Sequence, residues 1–240
     1  MQLISSEDRG RAKFSWLDSR HSFSFGSYFN PAYMGFGALR VINEDRVTPG
    51  AGFETHGHQD MEIISYVLQG GLEHKDSIGT GSVIKPGDVQ RMTAGTGIRH
   101  SEFNASKTAP VHFLQIWIIP DTKGSAPGYE QKNFPANSWE NTLLLIGSRD
   151  GRDGSVTIYQ DVDLYGRLLA KDQTVTFAIK PKRMIWIQIV SGYLEIGGNF
   201  YGEGDGLGIS EEETPLTIKG IHREPSEFLL FDLSSEFVSS

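Results

Sequence analysis

Two short stretches carry side chains able to do chemistry together. Glu54-Thr55-His56-Gly57-His58 and Gly97-Ile98-Arg99-His100-Ser101-Glu102 each set two donor groups one residue apart. On a β-strand, residues i and i+2 point to the same face. Two such strands therefore aim three imidazoles and a carboxylate at one point. This donor set suits a divalent transition metal, and neutral imidazoles favour iron, copper, nickel or zinc over magnesium and calcium. Seven histidines in the chain make one chance His-x-His unsurprising. The second alternating pair, behind its own glycine-rich turn, is what makes the spacing informative.

The elements that must position these groups are β-strands. β-branched and aromatic runs bounded by Gly, Pro, Asn and Asp recur at Ala38 to Ile42, Glu62 to Leu68, Val111 to Ile119, Thr174 to Ile179, Met184 to Val190 and Phe228 to Leu233. Long helical periodicity is scarce, so the sequence predicts an all-β fold of sandwich or barrel type. An internal repeat divides it. Val67-Leu68-Gln69-Gly70-Gly71-Leu72-Glu73 matches Ile189-Val190-Ser191-Gly192-Tyr193-Leu194-Glu195 in character, and Pro86-Gly87-Asp88 is echoed by Glu203-Gly204-Asp205. The chain reads as one β-domain twice, with residues 1–125 as a metal-binding first domain and 126–240 as a second. The polar stretch 120–137 is the expected connection. Carrying His56 and His58 forward by the Gly70-to-Gly192 offset lands on Ala178 and Lys180, and carrying His100 and Glu102 forward by the Gly87-to-Gly204 offset lands on Thr217 and Lys219, so the second domain is expected to lack the metal ligands.

Composition limits the function. A net charge of -8 over 240 residues offers no general attraction to phosphate backbones, which argues against direct nucleic-acid binding. The first residues lack the basic and apolar regions of a signal peptide, and no apolar run is long enough for a membrane span. The absence of cysteine removes thiolate metal sites and suits a cytoplasmic protein.

Gly50-(x)5-His56-x-His58-(x)3-Glu62, Pro86-Gly87-Asp88 and Gly95-x-Gly97-x-x-His100-(x)3-Asn104 resemble the two cupin motifs. More closely, Trp16-Leu17-Asp18-Ser19-Arg20-His21-Ser22-Phe23-Ser24-Phe25, Leu39-Arg40-Val41-Ile42-Asn43, His56-x-His58-x-x-Met61-Glu62 and Met92-x-Ala94-Gly95-x-Gly97-Ile98-x-His100-Ser101-Glu102 resemble the pirin family, especially its bacterial quercetin 2,3-dioxygenase-like members. The resemblance implies a bicupin, two cupin or jelly-roll-like β-barrels in one chain. It implies one metal in the first barrel, held by His56, His58, His100 and Glu102. Iron(II) is the first expectation, with zinc, nickel, copper, manganese or cobalt as alternatives. Two features depart from the general cupin pattern: the spacing from Glu62 to Gly70 is one residue longer, and a carboxylate stands two residues after His100. Because the first-motif glutamate is a ligand in many cupins, Glu62 competes with Glu102, and the pirin pattern favours Glu102.

The implied reaction opens the central ring of a flavonol such as quercetin with O2 and loss of carbon monoxide. A base must take the 3-hydroxyl proton; Glu102 is the expected catalytic residue and Glu62 the reserve. The alternative implied by the same resemblance is a non-catalytic metal- or redox-sensing regulator that binds a protein partner. A cavity able to admit a flat molecule above the ligands separates the two. His21, His74, His112 and His222 lack an in-register partner and read as packed or surface histidines, with His112 a possible support to a ligand. Phe23, Phe25, Phe36 and Phe53 read as core or pocket wall, and 148–154 and 202–208 as turns.

Overall fold

The computed structural model describes residues 1–139, 142–209 and 215–237. The chain divides into two compact units: Gly10–Phe134 with Val156–Gln160, and Met1–Arg9 with Pro135–Ser155 and Asp161–Ser240. Both are built almost wholly from antiparallel strands, as the apolar runs predict. The fold is a bicupin.

In the unit that carries the paired histidines, a seven-stranded sheet has the order Gly128–Asn133, Asp88–Thr93, Glu62–Gln69, Val111–Ile118, Leu39–Val47, Leu17–His21 and Gly10–Lys13. A second sheet of four strands runs Gly52–His58, Ile98–Asn104, Leu72–Asp76 and Gly81–Ile84. The polar stretch 120–137 is thus not all connection, because Gly128–Asn133 is an edge strand on Asp88–Thr93. Its Lys, Gln and Asn content suits an edge with one side unpaired.

Alternation along the large sheet creates distinct interior levels. Leu17, Val47, Val67, Val111 and Phe113 form part of one hydrocarbon cluster, and Ile63, Met92, Ala94 and Ile98 form another. Between them, strand register lines up a polar row: His21 opposite Asn43, Asn43 opposite Gln115, Gln115 opposite Ser65, and Ser65 opposite Gln90. A row of buried polar groups needs partners inside the barrel. Glu102 of the small sheet accepts from Gln115 and Ser65, while His21 and Asn43 bond each other.

The second unit repeats this plan. Its larger sheet includes Gln2–Ile4, Gly206–Ile209, Arg183–Ser191, Ser226–Ser234, Val162–Leu169 and Leu144–Ser148 in that order, and its smaller one runs Thr174–Phe177, Leu216–Gly220, Tyr193–Ile196 and Asn199–Gly202. The glycines that first marked the repeat hold the same corner twice. Gly70 (φ +82°) and Gly192 (φ +77°) both lie in the left-handed region. A Cβ on Gly70 would meet the Pro110 carbonyl oxygen at 2.7 Å, and one on Gly192 would meet the Ser226 hydroxyl. Only glycine satisfies both demands.

Register refines the repeat. Leu72 pairs with Asn104 and Leu194 with Gly220, so His100 corresponds to Leu216 and Glu102 to Ile218. Since His100 faces His56 and Leu216 faces Phe177, His56 corresponds to Phe177. The offsets that pointed to Thr217, Lys219 and Ala178 were each one residue too long, because the turns between strands differ in length. The corrected positions are hydrocarbon side chains.

Candidate metal centre

The strands Gly52–His58 and Ile98–Asn104 pair antiparallel with His100 directly opposite His56. Nε2 of His100 lies 3.0 Å from Nε2 of His58 and 3.1 Å from Nε2 of His56. One N–H cannot bridge both gaps, and the hydrogen bonds around the rings assign the tautomers. His56 Nδ1 is 2.7 Å from the Glu54 carbonyl oxygen, to which it donates, so its Nε2 carries a lone pair. His74 Nε2 lies 3.0 Å from an Asp76 carboxylate oxygen and donates to it, leaving His74 Nδ1 as an acceptor 3.5 Å from His100 Nδ1. His100 then points its Nε2 lone pair at that of His56. Two lone pairs at this distance repel unless a cation lies between them. The donor set therefore fits a metal ion. Nitrogens 3.0 and 3.1 Å apart are close enough to share one ion through bonds of about 2.1 Å.

Electrostatics agree. Burial, then the neighbouring imidazole charge of His56, lowers the His58 pKa to about 4. Burial, followed by His56, His58 and His74, lowers that of His100 to about 2. Both rings are neutral at pH 7, as metal ligands must be.

Glu102 faces the same interior but its carboxylate is held from the large sheet. Gln115 Nε2 donates to both of its oxygens at 3.0 and 2.8 Å, and Ser65 Oγ donates to one at 3.1 Å. The ligand atoms of Glu102, His74 and His100 lie within 4.8 Å of one another, as do those of His56, His58 and His100. His100 belongs to both groups. Strand Ile98–Asn104 shifts register against Gly52–His58 between His100 and Glu102 but not against Leu72–Asp76, where Glu102 stands opposite His74. Burial raises the Glu102 pKa to about 7, against the opposing hydrogen bonds from Ser65 and Gln115.

A cavity of about 270 Å³ opens over these groups, near the lower end of the range for small-molecule sites. Its apolar wall includes Trp16, Phe25, Phe53 and Trp117, and its polar wall includes Asn43, Asp45, Glu102 and Gln115. The Trp117 ring meets His58 edge-on with centroids 4.9 Å apart, and Trp16 meets Phe53 likewise at 5.1 Å.

Other sequence expectations fall elsewhere. Glu62 does not line this cavity. It lies one strand residue out of phase with Ile63 and Ser65, and its carboxylate accepts from Thr93 Oγ1 and the Tyr159 amide. Burial also raises its pKa to about 7, with Arg91 the largest opposing influence. His112 pairs with Glu44 at 2.9 Å, on the sheet face opposite Gln115, and supports no imidazole. Phe25 and Phe53 are cavity wall, whereas Phe23 is buried core. His21 is part of the wall and bonds Asn43 at 2.7 Å. His74, read from the sequence as a packed or surface histidine, is brought against His100 and Asp76; the His74-Lys75-Asp76 alternation was its signal.

With the architecture and site in view, likeness to known proteins is unambiguous. A family model described as Pirin matches residues 5–118, and one described as the quercetinase C-terminal cupin domain matches 145–233. A quercetin 2,3-dioxygenase of Escherichia coli K12 is 47% identical over 232 residues, covering 96% of this chain and 97% of that protein. A putative quercetin 2,3-dioxygenase of Mycobacterium tuberculosis is 37% identical over 243 residues, covering 100% and 98%. The crystal structure of the E. coli bacterial pirin YhhW in complex with nickel(II) superposes with a TM-score of 0.91 at 45% identity, covering 97% of this chain and 98% of that one. The fold is that of a bicupin, with a donor set in its first barrel that fits a metal ion. The chain belongs to the pirin family.

Proposed function

We propose that the protein is a metal-dependent dioxygenase that opens the central ring of a flavonol such as quercetin with O2. His56, His58, His100 and Glu102 hold the ion, with iron(II) the first candidate. The observation that carries this reading is the convergence of three imidazoles beneath an aromatic cavity that also contains a carboxylate of pKa about 7. The names of the relatives supply the substrate class. When bound, the metal would supply Lewis acidity toward a deprotonated hydroxyl and a route for electrons to O2.

The chain's own groups do the rest. Trp16, Phe25, Phe53 and Trp117 offer flat surfaces that bind an aromatic ring system and exclude water. Glu102 takes the proton of the 3-hydroxyl, a transfer favoured by a base whose pKa lies near neutrality. Gln115 and Ser65 fix the carboxylate and stabilise its charged form until that moment. His74 and Asp76 set the tautomer and tilt of His100. The Asp76 and His74 side chains are fully buried, so this chain of contacts orients and does not lead protons to solvent. A cavity over the imidazoles, and not a closed metal cage, favours catalysis over the regulatory reading.

The test is O2 uptake with quercetin by iron-loaded and metal-stripped protein, with carbon monoxide measured in the headspace. Uptake that requires the metal and is lost in His56→Ala and His100→Ala is expected. A fully metallated wild type that consumes no O2 with any flavonol would overturn the proposal.

A further inference from the structure

The second barrel holds a buried cation that has no counter-charge among the described residues. Arg167 is 5% exposed, and its Nε and Nη1 have no hydrogen-bond partner among the described residues. Burial alone depresses its pKa, with no carboxylate contributing. Burying an unpaired charge is strongly unfavourable, which is why buried guanidinium groups are almost always matched by an anion.

The internal repeat says where this cation points. Val47 pairs with Val111 and Asp45 with Phe113 in the first barrel; Leu169 pairs with Ser226 and Arg167 with Phe228 in the second. Arg167 therefore stands where Asp45 stands, and Tyr165 where Asn43 does. Asn43, Asp45, Phe53 and His56 all line the first barrel's cavity, and their counterparts are Tyr165, Arg167, Val175 and Phe177. The polar row of the first barrel has become hydrocarbon, with Leu230 for Gln115 and Ile187 for Ser65. Around Arg167 the inner face is apolar: Leu169, Phe228, Leu230 and Ile218 belong to one buried cluster. That cluster is not sealed at this end. Leu143, Tyr165, Val175 and Phe177 pack against it yet remain only partly buried.

We infer that the second barrel binds an organic carboxylate, its oxygens on the Arg167 guanidinium and its apolar body between Tyr165, Val175 and Phe177. A single guanidinium in hydrocarbon surroundings matches a monoanion with a non-polar body. A phosphate, with more charge and more acceptors, would be left under-satisfied there. The inference is independent of the metal centre and of any dioxygenase activity.

Benzoate is the probe and benzamide its neutral counterpart, each titrated into the full chain by calorimetry while the Arg Nε–H resonances are followed by NMR. Wild type should bind benzoate at one site and shift one Arg Nε–H signal, and benzamide should do neither. Arg167→Leu should weaken benzoate binding by about tenfold or more, the value of a charge-assisted hydrogen bond. The same variant leaves the imidazole site intact, so a carboxylate bound at a metal there would survive the change. Arg167→Lys, which keeps the charge and loses the planar fork, should bind with intermediate affinity. The thermal midpoint of Arg167→Leu without ligand should equal or exceed that of wild type, because an uncompensated charge is removed. Equal binding by wild type and Arg167→Leu would overturn the inference. So would the absence of binding and of any Arg Nε–H shift with acetate, benzoate and octanoate alike; the NMR arm decides the matter even if the leucine variant fails to fold.

Discussion

Replacing Gln115 with Leu tests how the barrel tunes Glu102. Gln115 Nε2 donates to both carboxylate oxygens, at 3.0 and 2.8 Å, and Ser65 supplies the remaining contact. Hydrogen bonds to a charged group contribute about 1.5–3 kcal/mol, and each pH unit of pKa corresponds to about 1.4 kcal/mol. Losing the amide should therefore raise the Glu102 pKa from about 7 to about 8 or 9 in metal-free protein. The sign for stability follows. A carboxyl whose folded pKa exceeds its unfolded value contributes stability that is complete below about 4.5 and is lost as pH rises through the folded pKa. Gln115→Leu and wild type should thus differ little in unfolding free energy near pH 4 and diverge by about 1.5–3 kcal/mol above pH 9. Carbon-13 NMR of the Glu102 carboxyl reads the pKa, and urea unfolding across pH reads the linkage. A Glu102 pKa unchanged or lowered in Gln115→Leu would refute the reasoning.

Three further outcomes follow from named contacts. In metal-free protein, His58 and His100 should stay neutral down to about pH 5.5, since their pKa values are lowered to about 4 and about 2; imidazole carbon shifts typical of the protonated ring at that pH would contradict this. His74→Phe removes the acceptor for His100 Nδ1 and should weaken metal affinity by about 10–100-fold, read by chelator competition, with unchanged affinity counting against the orienting role. Gly70→Ala, at φ +82° and facing the Pro110 carbonyl at 2.7 Å, should cost about 1–3 kcal/mol in urea unfolding; a neutral result would mean that the corner relaxes freely.

Much of this was legible in the residues because strand alternation is a strict code. His56-x-His58 and His100-x-Glu102 declared their faces, and the Gly70 and Gly192 segments declared the repeat. What stayed hidden depends on register between strands, which a single sequence does not fix. Nothing in Val111 to Ile119 says that its one glutamine will face Ser65 on one side and Asn43 on the other. Glu62 and Glu102 look equivalent until the sheet puts Glu62 out of phase with Ser65. His74 was readable as a lone histidine, and only pairing with Glu102 brings it to His100. Counting forward from the two glycine matches missed the hydrocarbon replacements at Phe177, Leu216 and Ile218 for the same reason.

The central claim is that one carboxylate beside three imidazoles moves the substrate proton, and Glu102→Gln measured at matched metal content tests it most directly. The amide keeps an oxygen toward the ion and contacts to the wall but cannot accept a proton. O2 uptake with quercetin should fall by about 10²–10⁴-fold at equal metal occupancy, the usual loss on removing a general base. A variant that turned over at the wild-type rate would show that Glu102 is no base in this site.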